Sequence, residues 1–142
     1  MSEIMKDCAF CDTEQLGWRT IRAGELFVSF VSNPRFREGQ CLVIPRRHIT
    51  SPVEMTGEEA KDVMLEAARL ADELDQGFGS GIMQKFQPTQ AENGIKMNHL
   101  HFHVFPRLEH EVGLFPVPEP NTFDGFHAAE REDIITMAES LR

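Results

Sequence analysis

Three histidines in five residues, His99, His101 and His103, concentrate half of the six histidines of this chain in one short stretch. They alternate with Leu100, Phe102 and Val104. Such alternation is the period-2 pattern of a strand, whose successive side chains point to opposite faces. A strand over residues 95–105, closed by Pro106, therefore sets the three imidazoles on one face and apolar side chains on the other. Neighbouring rings in the row sit ~6.6 Å apart, at ~3.3 Å rise per residue. That spacing disfavours an enzyme that uses all three as ligands to one ion, unless the strand bends. It does suit linked tasks, because imidazole near neutral pH is a nucleophile, a general acid or base, or a metal ligand. A purification tag would be terminal and consecutive, whereas this row is internal and interleaved with core-type residues.

A second set of chemistry-bearing residues lies near the N-terminus. Cys8 and Cys11 form a C-x-x-C knuckle; both sulfurs can reach one ion, and such a pair usually needs two further ligands. A redox pair is the rival, but no strand-then-helix pattern surrounds it, and two spare thiols are the plain alternative. His48 follows an apolar run, Pro45, Arg46 and Arg47, at a strand exit from which it could join the cysteines.

The elements that must position these side chains fit one domain over residues 1–142. Residues 26–31 and 40–45 read as two strands of an antiparallel hairpin, joined by the turn-rich segment 32–39. Thr56 and Glu59 have capping-box spacing. Ala60, Val63, Met64, Ala67, Leu70, Ala71 and Leu74 then recur on one helical face, and Gly77 stops the helix. A third strand is expected over 82–86, a polar loop over 87–94, an irregular segment over 109–124, and a last helix over about 128–141. The fold class is α+β: an antiparallel sheet with one long helix across it and a C-terminal helix.

Net charge is −9, from 23 acidic and 14 basic residues. A general nucleic-acid surface is excluded on that balance, and an anionic substrate needs its own local positive or amide-rich site. No apolar run approaches ~18 residues, so no membrane span is expected. The first residues lack a signal-peptide layout, and three cysteines, an odd number, suit a reduced compartment. A soluble cytoplasmic protein is expected.

Taken together, the row His99–Leu100–His101–Phe102–His103, the run ending Pro45–Arg46–Arg47–His48, and Cys8 with Cys11 resemble the zinc-containing branch of the histidine-triad (HIT) superfamily. The motifs stand in that family's order across residues 8–107. The resemblance implies a homodimer acting on phosphate-linked nucleotides, as a hydrolase of dinucleoside polyphosphates or nucleoside phosphoramidates or as a nucleotidyl transferase. It implies that His101 is the nucleophile, that His103 lines the phosphate site, and that Cys8, Cys11, His48 and His99 hold a structural zinc. A Cys2His2 set saturates tetrahedral zinc, leaving no position for substrate. It also places Asn33 near a nucleotide sugar and Gln87 near the phosphates.

Several positions depart from the family pattern. Ile95 stands where a glutamine is usual, and Lys96 where a serine or threonine is usual. Lys96 is a candidate phosphate contact as a point charge, or a solvated strand residue. Gln40 stands where a histidine is common; its amide bonds but does not titrate near neutrality. Arg107 either touches phosphate or pairs with an acid, and Phe36 either stacks a base or packs in the core. The alternative to an enzyme is a nucleotide-binding regulatory module, favoured by the Ile95 and Lys96 departures.

Overall fold

The computed structural model describes residues 8–12, 16–33, 35, 37–84, 89–90, 96–97, 99–109 and 128–142. Five strands form one antiparallel sheet: β1 (Thr20–Ala23), β2 (Phe27–Val31), β3 (Cys41–Pro45), β4 (Ser80–Gln84) and β7 (Phe102–Pro106). Their order across the sheet is β1-β2-β3-β7-β4. Two short strands, β5 (Thr89–Gln90) and β6 (Lys96–Met97), pair separately. Helix α1 (Gly57–Leu74) lies across the sheet and α2 (Arg131–Leu141) ends the chain. Among the described residues no helix is long and apolar enough to cross a membrane.

The two expected hairpin strands are present as β2 and β3, which pair from Phe27 opposite Pro45 to Val31 opposite Cys41. β1 was not legible as a strand. It is an edge strand with Arg22 and Ala23 exposed, so it lacks the alternating apolar face that marks a half-buried strand. Gly24 closes its turn into β2, with its N–H donating to Phe27 O at 2.9 Å. A Cβ there would lie 2.3 Å from the Phe27 ring.

Thr56 caps α1 as its spacing predicts. The Thr56 hydroxyl accepts from Glu59 N–H at 3.1 Å, and the Glu59 carboxylate accepts from Thr56 N–H at 2.9 Å. The helix ends at Leu74, three residues before the expected stop at Gly77. Asp75 intervenes, its carboxylate accepting from the Gly77 and Gly79 N–H groups at 2.8 and 3.0 Å. That turn starts the third strand earlier than expected, at Ser80. The last helix likewise starts at Arg131 and not at 128.

The strand expected over 95–105 divides. Lys96 and Met97 pair with Gln90 and Thr89, while pairing in the main sheet begins only at Phe102, opposite Val43 and Gln84. His99 and His101 therefore precede β7, and only His103 lies within it. The alternation of apolar and polar residues reports burial on two sides, and the chain satisfies it here without a continuous ladder.

Strand alternation sorts the core into two layers. On one face Val31, Cys41, Val43, Phe102 and Val104 pack with Val63, Ala67, Leu70 and Leu74 of α1 and with Ile134, Ala138 and Leu141 of α2. On the other, Val28, Phe30, Leu42 and Ile44 pack with Cys8, Phe10 and Leu16. Leu42 is paired opposite His103, so His103 belongs to this second face, away from α1.

Candidate functional site

Residues 8–12 fold as a tight turn, with Cys11 N–H donating to Cys8 O at 3.1 Å and Asp12 N–H to Ala9 O at 3.3 Å. Phe10 anchors it, packing edge-on to Phe30 with centroids 5.2 Å apart. His48 arrives from the exit of β3 on a segment braced by Arg47, which donates to the Glu59 carboxylate and to Glu54 O, each at 2.7 Å. Leu100 N–H donates to Ile49 O at 2.7 Å, joining the histidine row to that segment.

Four side chains converge. One ligand atom from each of Cys8, Cys11, His48 and His99 lies within 4.8 Å of all the others, a grouping that could hold a metal ion. His99 Nε2 is 2.7 Å from Pro45 O; a carbonyl only accepts, so Nε2 carries the proton and Nδ1 has the lone pair. Nδ1 faces the Cys8 and Cys11 sulfurs at 3.5 Å each. His48 Nδ1 lies 3.3 Å from Cys11 Sγ. Bonds of ~2.3 Å to sulfur and ~2.05 Å to nitrogen give a tetrahedral S···N edge of roughly 3.5 Å. The donor set thus has the elements of a four-coordinate soft-metal site and three S···N separations close to that edge, with the outer hydrogen bond that orients a ligating histidine.

Burial sets the protons here. The Cys8 thiol is pushed up to about 11, chiefly by burial. His99 is pushed down to about 4, again chiefly by burial, with His48 and His101 adding to the effect. His48 is lowered for the same reason. Buried neutral imidazoles are ready ligands, whereas the thiols must lose their protons to a cation as it binds.

The other two triad histidines do different things. His101 Nδ1 donates to His99 O at 2.8 Å, which leaves the lone pair on Nε2. His99 thus serves both sites, its ring facing the thiols and its carbonyl holding His101. The His101 and His103 rings stand 5.0 Å apart at 77°, and His103 Nδ1 lies 2.9 Å from Gln40 Nε2. Phe10 presents its ring to both His99 and His101, each 6.1 Å away. All three triad residues are buried, at 1–5 % exposure.

The candidate substrate residues are more scattered. Asn33 Oδ1 accepts from Ala129 N–H at 3.1 Å, tying the exit of β2 to the approach to α2. Arg107 follows β7, its backbone N–H donating to Gly79 O at 2.9 Å; six extended residues from His101 is roughly 20 Å. Gln87, Phe36, Ile95 and the Lys96 side chain lie outside the described residues. Sequence reasoning missed two parts of the site. Phe10 read only as the filler of the C-x-x-C, and the Arg47–Glu59 brace was hidden because Glu59 was fully accounted for by its cap.

Three buried imidazoles, His103 on the sheet face away from α1 and His99 and His101 just before β7, define with the neighbouring Cys2His2 cluster a histidine-triad architecture. Residues 19–110 match the HIT domain. The chain belongs to the HIT family. It is 31% identical over 84 residues to a bis(5'-adenosyl)-triphosphatase of Dictyostelium discoideum, covering 58% of this chain and 56% of that protein. In structure it is similar to a zinc-bound histidine triad family protein of Mycobacterium smegmatis, with a TM-score of 0.64, 20% identity, and 95% and 92% of the two chains covered. It is also similar to the C. elegans NitFhit protein, with a TM-score of 0.59 and 21% identity over 88% of this chain, which spans only 27% of that one. The last two likenesses establish the fold.

Proposed function

We propose that the protein is a hydrolase or nucleotidyl transferase acting on phosphate-linked nucleotides, either dinucleoside polyphosphates or nucleoside phosphoramidates. The observation that carries this reading is the 2.8 Å hydrogen bond from His101 Nδ1 to His99 O. A carbonyl acceptor pins the Nδ1–H tautomer and leaves Nε2 as a nucleophile that needs no prior deprotonation. Nε2 attacks the α-phosphorus. An N–P bond forms as the bond from phosphorus to the leaving oxygen or nitrogen breaks, and the leaving group departs with that electron pair. A nucleoside polyphosphate leaves as an anion; an amine must take up a proton. Water then attacks phosphorus, the N–P bond breaks, the water proton passes to solvent, and His101 returns to its starting state. A transferase would use another acceptor in place of water.

His103 supports the charge developing on the phosphoryl oxygens. Asn33, Gln87, Lys96 and Arg107 are the candidate contacts to sugar and phosphates. Zinc held by Cys8, Cys11, His48 and His99 would be structural, tying the N-terminal knuckle to the exit of β3 and to the residue whose carbonyl orients His101. In this reading the protein works as a cytoplasmic homodimer of one domain per chain, with both knuckle thiols kept reduced.

The test is to mix the protein briefly with diadenosine triphosphate or adenosine phosphoramidate and weigh the quenched protein. A nucleotidyl adduct mapped to His101, absent in His101→Ala, is expected. Nucleotide binding with neither adduct nor turnover, across adenosine and guanosine substrates, would overturn the proposal.

A further inference from the structure

Gln40 lies one residue before β3, and its backbone is held on both sides. Its N–H donates to Arg37 O at 3.3 Å, and its carbonyl accepts from Ser32 N–H at 2.9 Å. Leu42 pairs opposite His103, and Gln40, two residues earlier, projects from the same face. It is therefore a diagonal neighbour of His103 across the ladder, a separation of ~7–8 Å that only a long side chain spans. Gln40 spans it, with Nε2 2.9 Å from His103 Nδ1. Both residues are buried, Gln40 completely.

An amide NH2 only donates. With its NH2 turned to the ring, the Gln40 amide donates, so His103 Nδ1 accepts and the proton of the neutral ring sits on Nε2. His101 has the opposite arrangement, donating from Nδ1 to His99 O. We infer that Gln40 is a positioning residue that holds His103 in the Nε2–H tautomer, so that adjacent rings present one lone pair and one proton to the same substrate. The inference rests on the proposed reaction. In that reaction His101 Nε2 meets phosphorus while His103 Nε2–H donates to a phosphoryl oxygen. The opposite tautomer of His103 would turn a lone pair toward those oxygens and repel them. Gln40 does this without adding a second titrating ring to the site, because an amide does not ionise near neutrality. Asparagine is one methylene too short for the span, and glutamate, which only accepts, would draw the proton onto Nδ1.

Long-range 1H–15N correlation spectra of the 15N-labelled, zinc-loaded full-length protein read these protons directly. His103 is expected with Nε2 in the protonated range and Nδ1 in the lone-pair range, and His101 with the reverse. In Gln40→Glu, the His103 proton is expected to move from Nε2 to Nδ1, and kcat on diadenosine triphosphate to fall ~100-fold, the effect of losing one donor to a developing oxyanion. Gln40→Met, which keeps length and burial, is expected to show a mixture of His103 tautomers. A wild-type spectrum with Nδ1–H on His103 overturns the inference whether or not any variant folds. So do unchanged His103 shifts in both variants, or wild-type kcat in Gln40→Glu. The expected spectra in a protein that turns over no nucleotide would leave the tautomer assignment standing and remove the proposed reaction. Turnover with the wrong wild-type tautomer would do the opposite.

Discussion

Glu59 joins two structures that the metal cluster needs, the start of α1 and the segment carrying His48, so its removal should be felt well beyond one helix turn. Glu59 is 4% exposed. It accepts from Arg47 Nη2 at 2.7 Å and Nε at 3.2 Å, a two-pronged pair, and from Thr56 N–H at 2.9 Å. The capping half is worth ~1 kcal/mol, and hydrogen bonds to a charged group about 1.5–3 kcal/mol. Because Arg47 keeps a quarter of its side chain in water, the lower part of that second range applies. Glu59→Ala should therefore cost about 2–3 kcal/mol, or roughly 10 °C in melting temperature for a chain of this size. Glu59→Gln, which can still cap, should lose about half as much.

The same reasoning fixes a pH dependence. Arg47 first, then the Thr56 backbone and hydroxyl, hold the Glu59 carboxyl below the usual carboxylate range despite its burial. A carboxyl depressed in the folded state adds stability that is fully present above its unfolded value, near about pH 4.3, and is lost as pH falls through the lower folded value. Urea melts of wild type and Glu59→Ala should thus differ by the full amount at pH 7 and draw together only as pH falls below about 4.3 toward the depressed folded value. A difference under ~1 kcal/mol at pH 7, or one that widens in acid, would refute the argument.

Two further substitutions probe the frame. Cys8→Ala should abolish stoichiometric zinc and lower stability by about 4 kcal/mol where free zinc exceeds Kd a thousandfold, while the surviving folded fraction keeps most of its turnover; equal stability with abolished turnover would contradict a structural metal. Arg69→Ala should cost about 3–5 kcal/mol, measured by chemical denaturation, because it strands a buried carboxylate. Arg69 donates to both Glu66 oxygens at 2.8 and 3.1 Å and to Leu141 O at 3.1 Å, and among the described residues Ser29 alone would then remain on Glu66 at 2.6 Å. A loss near zero would refute the idea that Glu66 depends on this partner.

The family and the sheet-plus-helix class were legible from residue types in order, and the grouping of Cys8, Cys11, His48 and His99 followed from the family resemblance. Chemistry-bearing motifs and the Thr56–Glu59 cap depend on neighbours within a few residues, and so does the apolar face of α1. Tertiary structure alone decided that β4 and β3 flank β7, that the histidine row breaks before Phe102, and that Gln40 meets His103 across 63 residues of chain. The physical reason is the ladder register. Local periodicity says which side chains share a face, but which strand lies opposite, and at what offset, is settled only when both faces of the sheet are packed at once.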